Sequence, residues 1–410
     1  MSIKKVSKLL KNKMMIDYMY NIVGYAIYIF CQQILIFPFI GKDISVANKL
    51  GTYVTLLAII NIFSSGFGSS LGDVRVLSEK EENNNFGFQI LILLLIIFSG
   101  SILFVVSFFY FHFSFLNSIF ITFWGIFSVY RNYITSEYIK FKKFNLILIL
   151  MIMYSVGTVI GLFINLYFIN SFAIIFLSAE ILSFIFYIQK SVFFKEKIEK
   201  RKLSKHDNKV FLELSSSTFF SYATNSIDKF LIPIILGPAV LATYYSIAIS
   251  SKLIGMLTGP LSRVILGWTN SLSSVITLKK FKKMAMNLIL LFGIVFLLSL
   301  IMTPILVKLL YPAYVSYVPS FLIIVSINGA LRVLADLIQP FFIRLAGTKL
   351  LSYINLSRLF IYITFGLLFT KVFGIFGFAY FMCVLEILTN CIKIIIIYFN
   401  IKKRGIDESK

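Results

Sequence analysis

Long apolar runs follow one another along the whole chain, and the gaps between them alternate in charge. One gap is crowded with lysine and arginine, and the next is nearly bare of both. Few folds accept such a pattern. Each run is about 20 residues long, enough to cross roughly 30 Å of hydrocarbon as a helix. With 59% hydrophobic residues and a longest polar stretch of only Lys195 to Lys209, no soluble domain fits. The formal charge of +22 would suggest nucleic acid in a soluble protein. Here the charge sits in short loops and termini, as the positive-inside rule expects, so no nucleic-acid partner is expected.

The expected fold is all-α and integral to a membrane, with about twelve transmembrane helices in two six-helix lobes around a central cavity. The first six spans are Met14–Phe39, Val46–Ser69, Phe86–Tyr110, Phe115–Ile134, Asn145–Phe168 and Phe172–Gln189. The other six are Phe211–Leu236, Val240–Leu266, Met284–Leu306, Val318–Phe341, Leu351–Phe369 and Gly374–Phe399. About 29 Lys and Arg fall on one side of this arrangement, against Lys42, Lys49, Lys308 and Lys371 on the other. That bias places the rich side and both termini in the cytoplasm. The lysine-rich start runs into an apolar stretch too long for a signal-peptide core, so it is read as a retained first helix. Cys31, Cys383 and Cys391 lie in apolar segments without metal spacing, and His112 and His206 are isolated.

The chain repeats its own plan. The basic linker, residues 190–210, separates an N-terminal lobe, 1–189, from a C-terminal lobe, 211–410. Leu50-Gly51-Thr52-Tyr53 is matched by Leu241-Ala242-Thr243-Tyr244, Arg131 by Arg332, and Glu180-Ile181-Leu182-Ser183 by Glu386-Ile387-Leu388-Thr389, in the same order. Six helices per half is an even number, so both halves enter from the cytoplasm as parallel repeats. Transporters built in that way bind near the midplane and rock their halves.

A charge near the bilayer centre costs several kcal/mol on insertion scales (about 2.5–3.5), so it faces a partner or a watery cavity. Asp228 and Lys229 lie two-thirds across the seventh span, Lys252 near the centre of the eighth, and Arg358 inside the eleventh. Glu180 and Glu386 sit at mid-depth in the sixth and twelfth. Arg332 and Asp336 are four apart on one face of the tenth, where they pair with each other or serve a cavity. Lys252 has no acid within a turn, which favours a cavity. Glu180 and Glu386 read equally as interhelix ligands or as proton carriers. Arg131, Arg263 and Lys393 lie near cytoplasmic ends, where snorkelling is the default. Gly255, Gly259 and Pro260 in the eighth span are candidate hinge residues; plain helix contact is the competing reading.

Phe67-Gly68-Ser69-Ser70-Leu71-Gly72-Asp73-Val74-Arg75, Arg131-Asn132-Tyr133 and Ser226-Ile227-Asp228-Lys229-Phe230, with Leu236-Gly237-Pro238 and Tyr244-Tyr245-Ser246, carry a resemblance. Together they resemble the polysaccharide flippases of the multidrug/oligosaccharidyl-lipid/polysaccharide exporter superfamily, in the O-antigen (Wzx-type) branch. The resemblance implies a transporter, not an enzyme. It implies movement of an undecaprenyl-diphosphate-linked oligosaccharide between the leaflets of a bacterial cytoplasmic (inner) membrane, with a polysaccharide polymerase and a chain-length regulator as further partners. A diphosphate wants cations, and Lys252, Arg332, Lys229 and Arg358 are the candidates to bind it. Asp228, Asp336, Glu180 and Glu386 are candidates for ion pairs or for coupling. No cofactor is expected, and coupling to a proton or sodium gradient is left open. Two rivals stand beside this reading. A drug or organic-cation antiporter of the same superfamily would want an acidic, aromatic cavity. A membrane polymerase or ligase would carry a large outward loop, where the longest here is about Leu306–Tyr317.

Overall fold

The computed structural model describes residues 16, 19–43, 45, 47–77, 85–191, 205–255, 258 and 278–407, and every element among them is helical. Six come first: α1 Met19–Ile40, α2 Ala47–Val76, α3 Phe86–Tyr110, α4 Phe115–Lys140, α5 Phe144–Tyr167 and α6 Phe172–Lys190. Then follow α7 Lys205–Asn225, α8 Asp228–Leu236, α9 Pro238–Ile247, α10 Leu278–Leu310, α11 Val318–Ala346, α12 Thr348–Ile361 and α13 Leu367–Asp407. Gly259, Pro260 and Arg263, together with most of the basic linker, lie outside the described residues.

Eight helical runs among the described residues are long and apolar enough to cross a membrane by length and composition. The longest, Lys349–Lys402, has 54 residues and contains two crossings. Arg358 and Glu386 are 28 residues apart yet hydrogen-bonded, whereas a straight helix would separate them by about 42 Å. The reversal falls at Gly374, whose φ of 64° and ψ of −150° suit a residue without Cβ. The helices that fall short of the apolar criterion have a physical reason to do so. The α4 helix carries Arg131, Glu137 and Lys140, α7 is polar along much of its length, and α8 and α9 are apolar but short. Large apolar side chains face outward along whole helices; Ile289 and Ile301 of α10 are 71% and 62% exposed. Only hydrocarbon makes such a surface stable. The chain is a multi-pass membrane protein.

The chain divides into two compact units. One gathers Met1–Ile36 with Leu56–Tyr222, and the other gathers Phe37–Thr55 with Ala223–Lys410. In the first unit, α5 and α6 pack through Gly157 and Gly161. A Cβ on Gly157 would stand 2.7 Å from the Ala179 Cα, and the Ser178 hydroxyl donates to the Gly157 carbonyl at 3.0 Å. Small residues four apart let two backbones touch, which is how apolar helices associate where lipid offers no hydrophobic drive. Trp124 of α4 stacks on Phe176 of α6, with centroids 4.2 Å apart.

In the second unit, α10, α11 and α13 form the frame, with Phe342, Ile338, Ile397 and Leu351 closing one apolar core. Buried hydroxyls join its helices: Ser250 meets Ser299 at 3.1 Å and Thr303, and Ser251 donates to the Val325 carbonyl at 3.0 Å. The start of α2 belongs to this unit, where Gly51 lies against the Pro238 backbone too closely to accept a Cβ. The matched motifs repeat their local chemistry. Thr52 donates to the Asn48 carbonyl at 2.8 Å and Thr243 to the Ala239 carbonyl at 3.1 Å, while Tyr53 and Tyr244 are both buried.

Candidate functional site

The first unit holds a buried bidentate ion pair as well as buried Arg75 and Glu137, and the second holds a longer tract of charge. In the first, Arg131 of α4 meets Glu180 of α6 in a two-point contact, Nε to Oε2 at 2.9 Å and Nη2 to Oε1 at 3.1 Å. Both side chains are enclosed, and the rings of Tyr28 and Tyr154 flank the guanidinium at 5.3 and 5.2 Å. A bidentate pair of this kind matches the fork of arginine to the two oxygens of a carboxylate. Arg131 does not snorkel. The α4 helix runs on to Lys140, six residues past the expected end at Ile134, so Arg131 is well inside it. A void of about 10 Å³ lies against the pair, lined also by Ser183 and Tyr187; it is no larger than a single water needs.

The second unit repeats the motif and adds to it. Arg358 of α12 bonds Glu386 of α13 and reaches the Tyr362 hydroxyl. Beyond this pair lie Asp228, Lys229, Lys252 and Arg332, close enough for Asp228 to interact with all three cations through charge. No ion pair within hydrogen-bonding reach joins these four among the described residues. Arg332 donates instead to the carbonyl of Asn225 at 3.5 Å, and Lys252 to the carbonyl of Tyr245 at 3.0 Å.

Both acceptors come from helix ends. Asn225 is the last residue of α7, and α8 begins only at Asp228, after a turn at Ser226-Ile227. Tyr245 lies in the last turn of α9, which stops at Ile247. The last four carbonyls of a helix have no partner within it and carry the negative end of its dipole, so they attract cations. Lys252 also stands over the Tyr245 ring. Pro233, inside α8, has no N–H to offer the Lys229 carbonyl four residues back; the Thr55 hydroxyl fills that role at 3.0 Å. Two cations, Lys252 and Arg332, are thus held by helix-end carbonyls rather than by carboxylates.

The structure therefore brings Lys252, Arg332, Lys229 and Asp228 together and puts Arg358 with Glu386 beside them. The expected pairing of Arg332 with Asp336 does not occur: Asp336 accepts from the Thr258 hydroxyl at 2.9 Å, while Arg332 turns to the end of α7. Glu180 lies in the other unit, held by Arg131. Gly255 has open space where a Cβ would sit. Sequence reasoning did not single out Thr55 or the carbonyl of Asn225, and it quoted Tyr245 only within a motif, not as the partner of Lys252. The signal that could have led to Thr55 is Pro233, whose missing N–H can be read from the sequence.

No family model matches the chain, and no curated protein matches it. Solved structures do. One is a multidrug resistance MATE family transporter of the MOP superfamily in an inward-facing conformation, 12% identical, with a TM-score of 0.64 over 94% of this chain and 95% of that one. Another is the Vibrio cholerae MATE transporter VcmN in its bent form, 12% identical, TM-score 0.61, over 97% and 98%. A third is a MOP superfamily transporter from Pyrococcus furiosus, 12% identical, TM-score 0.57, over 94% and 95%; its binding pocket is described as of reverse polarity, suggesting a different function. The chain has the fold of these transporters.

Proposed function

We propose that this chain is a membrane transporter that carries an undecaprenyl-diphosphate-linked oligosaccharide from the cytoplasmic to the outer leaflet of a bacterial cytoplasmic membrane by alternating access. The observation that carries the reading is the cluster of Lys229, Lys252 and Arg332, in which the Lys252 and Arg332 side chains donate to helix-end carbonyls rather than to carboxylates. Cations without a carboxylate grip keep their charge for a ligand, and phosphate oxygens are the acceptors that lysine and arginine bind best. A positive surplus is the wrong polarity for an organic cation. The reversed polarity described for the Pyrococcus furiosus relative supports the idea that this fold takes more than one class of substrate. The lipid tail stays in the bilayer while the sugar crosses beside the cations. The fold also speaks for a transporter over a polymerase or ligase.

The test is complementation of a strain lacking its own polysaccharide flippase. The wild-type chain is expected to restore surface polysaccharide. Lys252→Ala and Arg332→Ala are expected to insert normally and lose most of that export. Normal export by both variants would overturn the reading.

One feature favours a second reading, a drug antiporter like the multidrug relatives. In the first unit Phe63, Phe67 and Phe219 stack on one another, with centroids 5.7 to 6.4 Å apart, and Phe98 joins them edge-on. Such an aromatic surface suits an apolar drug. Resistance to cationic dyes that rises with expression, without any gain in surface polysaccharide, would favour this reading.

A further inference from the structure

Among the buried carboxylates, Glu180, Glu386 and Asp228 all have cations beside them, and Asp228 is treated differently. Glu180 and Glu386 are each bonded directly to an arginine. Asp228 is 3% exposed and is surrounded by the charges of Lys229, Lys252 and Arg332, yet its Oδ1 has no hydrogen-bond partner. Two of the cations, Lys252 and Arg332, have other anchors for their side chains. Lys252 is held by the Tyr245 carbonyl and ring, Arg332 by the Asn225 carbonyl, and the Lys229 backbone by Thr55. Asp228 is also the first residue of α8, directly after the turn at Ser226-Ile227. A metal ion is a poor guest beside three positive groups. A second anion is a good one.

Resting on the anion-carrier reading above, we infer that Asp228 is the cluster's resident counter-anion, an internal stand-in for a phosphate that the incoming phosphate group displaces. Without it, three cations would face the membrane interior with no opposing charge when the carrier is empty, which is costly. With it, each anion that binds must overcome the repulsion of a like charge. The stand-in therefore weakens binding and speeds release, which a carrier needs and a tight binder does not.

The inference predicts a sign that a structural carboxylate would not give. Inorganic pyrophosphate is the probe, titrated by calorimetry into the full chain in lipid nanodiscs. Asp228→Asn is expected to bind it about tenfold more tightly than the wild type, the factor that ~1.4 kcal/mol of relieved repulsion gives, while export in cells falls. Asp228→Glu, which keeps the charge, is expected to bind like the wild type. If the wild type binds pyrophosphate through Lys252 and Arg332 but Asp228→Asn binds no tighter, the stand-in is wrong and the carrier reading survives. If the wild type binds none, or if Lys252→Ala and Arg332→Ala leave binding unchanged, both fall together. Should Asp228→Asn not fold, infrared difference spectra of the wild type decide. A carboxylate stretch that shifts on adding pyrophosphate supports displacement, and an unmoved carboxylate region overturns it.

Discussion

Two buried acids, one in each unit, meet cations in opposite ways. Glu180 grips Arg131 with both oxygens, and two tyrosine rings pack around the guanidinium. Asp228 lies among three cations and forms no ion pair within hydrogen-bonding reach of their charged groups among the described residues. The difference is made by the backbone. The α4 and α6 helices are continuous, offer no free carbonyls at mid-depth, and leave a buried arginine no acceptor but a side chain. The second unit breaks its helices at Ser226-Ile227 and after Ile247, and the carbonyls so released hold Arg332 and Lys252. A paired charge ties helices together; a charge held by a helix end remains available to a ligand.

The largest effect should come from breaking the tight pair. Glu180→Ala strands the Arg131 charge and is expected to cost about 3–5 kcal/mol, enough to deplete folded protein from the membrane. Leucine at both 131 and 180 should recover much of that loss, because the penalty comes from the unpaired survivor. Arg332→Ala removes no carboxylate bond and should move the unfolding midpoint far less. Thermal unfolding in detergent measures all three variants. If Arg332→Ala proved as damaging as Glu180→Ala, the two sites would not differ in kind.

The membrane architecture was legible because its signals are local: apolar length, basic alternation and charges at mid-depth are properties of short windows. Of the interior charges chosen in that way, Asp228, Lys229, Lys252, Arg332, Asp336, Arg358 and Glu386 lie in the second unit and Glu180 in the first. What failed was pairing. The four-residue spacing of Arg332 and Asp336 is favourable on an isolated helix, but a broken neighbour supplied Arg332 with a carbonyl, and Thr258 took Asp336. Arg131 was misplaced because α4 stays helical past its apolar stretch, through Thr135, Ser136 and Glu137, which hydropathy alone treats as loop. The breaks themselves carry little sequence signal. Asn225-Ser226 is a weak turn pair, and the chain around Ala248 contains neither glycine nor proline.

A smaller effect tests whether the broken helices do the positioning. Pro233 withholds a donor from the Lys229 carbonyl, and Thr55 supplies it. Thr55→Val keeps the shape and deletes the donor, leaving a buried carbonyl unsatisfied at about 1–3 kcal/mol. Thr55→Ser should retain most of the stability. A valine variant as stable as the wild type would mean that the carbonyl finds another donor and that Thr55 does not fix the backbone at Lys229.

The smallest effect asks what the aromatic rings contribute on each side of the comparison. Tyr245→Leu removes the ring under Lys252 but not the carbonyl that holds it, so only the cation–π part should be lost, about 0.5–1 kcal/mol. Because Lys252 is in the anion cluster, that loss should be visible in pyrophosphate titrations as a change of less than about tenfold. Tyr154→Leu removes a ring of the same kind from Arg131, whose charge is already satisfied by Glu180. Its consequence should be confined to the unfolding midpoint, with pyrophosphate affinity unmoved. If Tyr154→Leu altered anion binding as much as Tyr245→Leu, Arg131 would have to be counted among the cations available to the ligand, and the division between a structural charge and a working one would not follow the unbroken and broken helices.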